Sequence, residues 1–211
     1  MTARSAADLL VLHAVRLIGF GQTSAIAQRF GVDPGEAKEL LLDAEAYGWV
    51  EHVAVAGDSG WTLTGRGRAE GERRLAEELD SVGGGEEVRD VHRAFLPLNA
   101  LLLRACTDWQ LRPAPGDRLA VNDHSDQVWD SRVVGELADI ERALKPLAGR
   151  LGSVLDRFLG YDVRFSAALA RVQAGEGSWV DRTDVDSCHR VWFELHEDLI
   201  ATLGLDRRTE A

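Results

Sequence analysis

Only two cysteines, Cys106 and Cys188, occur in the 211 residues, and they lie far apart. A disulfide framework is thereby excluded, and a reducing, cytoplasmic setting is expected. No run approaches the ~20 apolar residues that a membrane-crossing helix needs, and the apolar stretch at 9–17 is interrupted by His13 and Arg16. The start of the chain also lacks the basic-then-apolar pattern of a signal peptide. No membrane association is expected. Positive charge is scarce: 24 Lys and Arg against 35 Asp and Glu leave a net charge of −11. Such a balance opposes the simplest form of nucleic-acid binding, in which a basic face meets phosphates. The distribution of charge therefore matters more than its total. Catalytic signatures are missing as well. No Gly-x-Ser-x-Gly elbow, P-loop or Gly-x-Gly-x-x-Gly run occurs, so no catalytic residue and no cofactor is assigned. Internal repeats and low-complexity tracts are absent. The remainder is ordinary for a globular protein, 45% hydrophobic and 28% charged, and long enough for one large or two modest domains.

Within 23–80 the pattern is much more specific. Residues 23–30 form a short helix that stops at Gly31. Asp33 is placed to cap a second helix, with Pro34 in its first turn, where a missing N–H costs nothing. Ala37, Leu40, Leu41 and Ala44 then recur at i, i+3, i+4 and i+7 as one apolar stripe. Residues 49–54 and 61–63 read as two strands around a glycine-bounded turn, Gly57-Asp58-Ser59-Gly60. Thr64 is placed to cap the helix that follows. This order resembles the winged-helix domain of bacterial transcription regulators, the MarR-like and PadR-like families in particular. The matching residues are Ile26-Ala27, Gly31-Val32, Leu40-Leu41, Gly48-Trp49-Val50 and Trp61-Thr62-Leu63-Thr64.

The resemblance implies a mainly α fold, with an N-terminal winged helix of three helices and a β-hairpin wing. It also implies double-stranded DNA as partner, read by the second helix of the motif in the major groove. The side of that helix away from the apolar stripe carries Gly35, Glu36, Lys38, Glu39, Leu42 and Asp43. Family members generally place Arg, Ser, Thr or Gln there, so Glu39 and Asp43 depart from the pattern, as does Asp58 at the wing tip. A carboxylate can accept from cytosine N4 but repels phosphate. The DNA-binding set is Arg29, Gly35, Glu36, Lys38, Glu39, Arg66 and Arg68, with Lys38 in the groove and Arg29, Arg66 and Arg68 on phosphates. The alternative is an adaptor that does not bind DNA, using exposed Leu42 among acids to contact a protein partner. The family resemblance further implies a homodimer paired through the helices at 6–20 and 186–203. The first of these is apolar over much of its circumference, which points to burial on more than one side.

Three consecutive glycines at 83–85 mark a joint, dividing a winged-helix domain at 1–80 from a helical domain at 86–211. Helical spacing runs from 86 to 111, with a kink or new start at Pro97. It resumes from 128 to 145, where Pro146 interrupts, and then in a short helix ending at Gly160. Another helix follows, with Asp162 as its candidate cap, and a last one spans 186–203. Five or six helices predict an α-helical bundle for dimerisation, effector sensing or both. Trp109, preceded by Asp108, and Trp129, followed by Asp130, flank a polar loop at 112–127. Aromatic walls with a few acids would suit a cationic or hydrogen-bond-donating small-molecule effector, although large indoles also serve simply as core. Asp123-His124-Ser125-Asp126 is expected to cap the next helix. His189 and His196 lie two helical turns apart, roughly 10 Å, too far to share a tetrahedral zinc with Cys188. No metal site is assigned.

Overall fold

The computed structural model describes residues 2–55 and 57–205. These are mainly helical, with a small antiparallel sheet of three strands. The chain forms two compact units. Unit 1 comprises Met1–Val88, Ser153–Arg157 and His196–Ala211, and unit 2 comprises Arg89–Gly152 and Phe158–Leu195. The triple glycine makes a turn between two helices of the chain. Entry into unit 2 follows only after Val88, and the chain returns to unit 1 at Ser153 and again at His196.

Unit 1 is built from α1 (Ala7–Ile18), β1 (Phe20–Gly21), α2 (Thr23–Phe30), α3 (Pro34–Ala46), β2 (Val50–Val55), β3 (Asp58–Leu63) and α4 (Gly65–Ser81). The sheet order is β1-β3-β2. β1 is an element the sequence did not reveal. The first helix, expected to reach residue 20, stops at Ile18, and Phe20 and Gly21 pair instead with Thr62 and Trp61. The hairpin turn is tighter than expected. Val55 stands opposite Asp58, so the strands pair further toward the tip than expected, and Ser59 and Gly60 belong to β3. Gly60 is needed for a different reason. A Cβ there would lie 2.9 Å from the Gly21 carbonyl oxygen of β1.

Val11, Val15, Ile26, Leu41, Val50 and Trp61 form the core of this unit, and Trp61 Nε1 donates to Thr23 Oγ1 at 3.0 Å. α1 packs on α2, α3, α4 and β3, and Leu9 joins Leu75 of α4 and Ala201 in a second cluster. Its apolar circumference is thus covered by its own chain. The sequence-based argument for a second copy on α1 falls away for that reason.

A buried polar network also holds α1. His13 Nε2 lies 2.9 Å from Asp198 Oδ1, and both side chains are almost wholly out of solvent. An ionised carboxylate only accepts, so Nε2 carries the imidazole proton. Arg157 donates through Nη1 to the same Asp198 oxygen, through Nη2 to Thr202 Oγ1 at 2.8 Å, and through Nε to Glu78 Oε2 at 3.1 Å. Arg16 bridges Glu197 at 2.8 Å and Glu72 at 2.7 Å. Burial acts to raise the Asp198 pKa, but Arg157 and then His13 outweigh it and hold the carboxyl well below the usual range. Burial likewise pushes the His13 pKa down, and the attraction of Asp198 only partly opposes this.

The pH consequence follows from the signs. Both folded-state values are depressed, so both groups stabilise the fold at neutral pH and lose that contribution on acidification. The His13 contribution is complete above about pH 6.5 and fades below it, whereas that of Asp198 fades only below about pH 4. The thermal midpoint should therefore drop between pH 7 and 5. His13→Gln, which keeps a donor toward Asp198 but cannot titrate, should flatten the curve in that window. An unchanged slope in calorimetry of the variant would count against the assignment.

Unit 2 takes most of α5 (Gly85–Gln110), most of α6 (Gln127–Val154), the whole of α7 (Tyr161–Gln173) and the first half of α8 (Cys188–Leu203), with a short 3-10 turn at Gly177–Val180. A second such turn, Asp156–Phe158, lies where the chain passes from unit 1 back to unit 2. Phe95 stacks on Trp192 at 4.6 Å, and Phe165 meets the same indole edge-on at 5.9 Å. Trp192 Nε1 donates to Asn99 Oδ1 at 3.0 Å. Leu102, Leu137, Ile140 and Leu144 of the same unit are also buried. Neither proline breaks its helix. α5 contains Pro97, and α6 continues through Pro146 where an interruption was expected. Leu147, Ala148 and Leu151 prolong the buried stripe of Val133, Leu137, Ile140 and Leu144, and this burial offsets the roughly 3 kcal/mol proline cost. Asp162 lies inside α7 and does not cap it. Gly160 occupies that position without a side-chain hydrogen bond.

Candidate functional site

Two surfaces carry the sequence-predicted site residues, one in each unit. In unit 1, α2 ends at Gly31, whose φ of +67° turns the chain. Asp33 Oδ1 then accepts from Gly35 N at 2.9 Å and Glu36 N at 3.1 Å, fixing the start of α3. Ala37, Leu41 and Ala44 are buried. Gly35, Glu36, Lys38, Glu39, Leu42 and Asp43 all face solvent, the exposure expected from the apolar stripe. Lys38 and Arg66 are exposed and take part in no ion pair among the described residues.

The other two arginines are placed differently from expectation. Arg29 is half-buried, with its guanidinium 4.4 Å above the Phe30 ring. Phe30 stacks on His13 at 5.9 Å, and the Arg29 charge helps hold Asp198 ionised. It serves the interior network rather than an open phosphate contact. Arg68 is exposed but lies 3.5 Å from Glu197, a carboxylate it shares with Arg16. Of the expected cations, Lys38 and Arg66 are the two left uncommitted.

In unit 2 a cleft of about 950 Å³ opens between the end of α5, the loop at 121–127, the start of α6 and the turn after α7. Trp109, Gln110, Asn122, His124, Asp130 and Asp181 are its principal polar and aromatic lining. The loop is shaped by side chains. Asp126 Oδ1 accepts from Val128 N and Trp129 N at 3.0 and 3.1 Å, capping α6 as its sequence suggested. Asn122, nearly buried, donates to the Trp109 carbonyl at 3.0 Å and to Asp130 Oδ1 at 2.9 Å. Its Oδ1 accepts from His124 N at 3.1 Å. His124 stands at φ +57°, in the left-handed region that costs most residues energy. Its Nδ1 lies 3.1 Å from Asp130 Oδ2, and its ring centroid is 4.6 Å from that of Trp109. Across the cleft, Asp181 Oδ2 accepts from Gln110 Nε2 at 2.6 Å.

The expected ligand set of Trp109, Asp108 and Trp129 is therefore divided. Trp109 lines the cleft. Trp129 instead donates from Nε1 to the Asp108 carbonyl at 2.7 Å and carries the Arg132 guanidinium 4.4 Å above its ring. The Asp108 carboxylate accepts from Arg132 at 2.7 Å. These three residues clamp α5 to α6. Asn122, Gln110 and Asp181 escaped notice in the sequence, although Asp130 stood out as the acid after Trp129 and the run from Asp123 to Asp126 beside them was conspicuous.

Both cysteines are buried, and burial pushes each thiol up to about 12, which leaves them poorly nucleophilic. Among the described residues no group of three or more His, Cys, Asp and Glu side chains is arranged to hold a metal ion. No described helix is long and apolar enough to cross a membrane. Comparison with protein-family models, curated proteins and solved structures returned no match.

Proposed function

We propose that this chain is a winged-helix transcription regulator of the cytoplasm that binds double-stranded DNA through unit 1 and senses a small molecule through unit 2. It is not an enzyme in this proposal. The observation that carries it is the order α2, glycine turn, α3 and antiparallel hairpin, with the outer side of α3 left open to solvent. In such proteins the second helix of the motif enters the major groove. Lys38 would meet bases there, and Arg66, at the start of α4, would meet phosphate. Pairing of two copies, implied by the family resemblance, would use a surface other than α1.

Two uncommitted cations per chain set the energetics. Affinity falls with salt in proportion to the phosphates neutralised, so binding should be weak and easily screened. Arg66→Ala should weaken every duplex alike and flatten the salt dependence by about one unit of slope, while Lys38→Ala should also blunt discrimination between sequences. Electrophoretic mobility shifts over a salt series would measure both. Unaltered affinity in Arg66→Ala, at every salt concentration, would remove the assigned docking mode.

The charge on α3 favours a second function. Glu36, Glu39 and Asp43 are exposed on the same helix as Leu42, which is itself 42% exposed, a combination suited to an adaptor contacting a protein. Leu42→Asp would then abolish co-purification of a partner and leave any duplex affinity intact.

A further inference from the structure

We propose that the unit 2 cleft binds a small organic cation, its ammonium group held by Asp130 and Asp181 and its apolar body lying along Trp109 and Val134. The proposal deepens the sensing half of the function given above and names the class of effector. The cleft, at about 950 Å³, is within the size range of small-molecule sites, which combine apolar walls with a few fixed polar groups. Its charged lining is of one sign. Asp130 and Asp181 contribute carboxylates, and no Lys or Arg lines it. An anionic ligand would meet two negative charges with no guanidinium or ammonium to offset them.

The carboxylates are also pre-positioned. Asp130 accepts from Asn122 and His124, and Asp181 from Gln110. Each keeps capacity for a further donor, because an ionised carboxylate offers about four acceptor positions. The aromatic wall is equally fixed. A Cβ on Gly177 would come 2.7 Å from Trp109 Cζ2, so the glycine lets the backbone lie directly against the indole. Indole faces attract cations, and carboxylates within a half-enclosed cleft strengthen that preference.

Isothermal calorimetry on the full chain without DNA tests this independently of DNA binding. The probes are tryptamine, phenethylamine and spermidine, with indole-3-propionate as an anion of tryptamine's size. At least one amine should saturate the cleft with a Kd below about 1 mM, and the anion should not bind. Asp181→Asn, nearly isosteric, should weaken the amine about ten-fold while leaving the thermal midpoint unchanged. Trp109→Leu should weaken the two aromatic amines more than spermidine. Failure of all three amines, or equal binding of the anion, overturns the proposal. So does full affinity in Asp181→Asn. A chain that takes up the amine but no duplex would leave this site standing and refute the DNA reading alone.

Discussion

Asp198→Ala should lower the stability of the chain by about 3–5 kcal/mol, the range for deleting one partner of a buried ion pair. Asp198 and Arg157 have fully buried side chains, and His13 shares the same carboxylate oxygen. Removing the carboxylate strips the buried Arg157 guanidinium of the Asp198 charge and leaves the His13 Nε2 donor without that acceptor. Asp198→Asn preserves shape but not charge, so it should recover only part of the loss. For a chain of this size the midpoint should fall by roughly 10 °C. Combining Asp198→Ala with Arg157→Met should cost less than the two single changes added together, because the second removes the charge stranded by the first. Strict additivity in urea unfolding would mean that the pair is not coupled as described.

Gly67→Ala should be the second severe substitution, with a sign opposite to helix propensity. In an exposed helix that change gains about 1 kcal/mol. Here the new methyl carbon would lie 1.8 Å from the Trp49 carbonyl oxygen and 2.6 Å from its carbon. Neither backbone is free to yield. Thr64 N donates to that same Trp49 oxygen at 3.0 Å, and Thr64 Oγ1 donates to the Gly48 oxygen at 2.7 Å while accepting from Gly67 N at 2.9 Å. The first turn of α4 must lift off the hairpin, at a cost near the top of the roughly 1–3 kcal/mol overpacking range. Gly65→Ala is the matched control, since nothing lies within 4 Å of a Cβ there. It should be neutral or slightly stabilising. Equal midpoints for the two variants by circular dichroism would refute the close approach at Trp49.

Local chemistry explains why unit 1 was so legible in the sequence. The Asp33 cap, the glycine after α2, the stripe on α3 and the Thr64 cap are all written within a few neighbouring residues, and each is present in the structure. β1 was invisible because two residues have no periodicity; only their pairing with Thr62 and Trp61 defines a strand. The continuity of α6 was misread because proline has a local cost, whereas the burial of Leu147 and Leu151 that offsets it is a tertiary effect. Arg29 was assigned to phosphate because its sequence neighbours gave no hint of His13 and Asp198. Those two are themselves separated by 185 positions. The same limit governs the cleft. Trp109 could be picked out as a large aromatic near a polar loop, but Gln110 and Asp181 meet only across 71 residues. Trp129 and Asp108 looked equivalent to Trp109 until Arg132 was seen to occupy both.

Whether unit 1 reads duplex sequence is best measured by selection from a randomised duplex library with the full chain at about 50 mM salt, low enough for few phosphate contacts to suffice. The account predicts enrichment of one defined motif, lost when salt is raised several-fold and less sharply defined with Lys38→Ala. Recovery of no motif by folded protein, with and without the amine that fills the cleft, would contradict it.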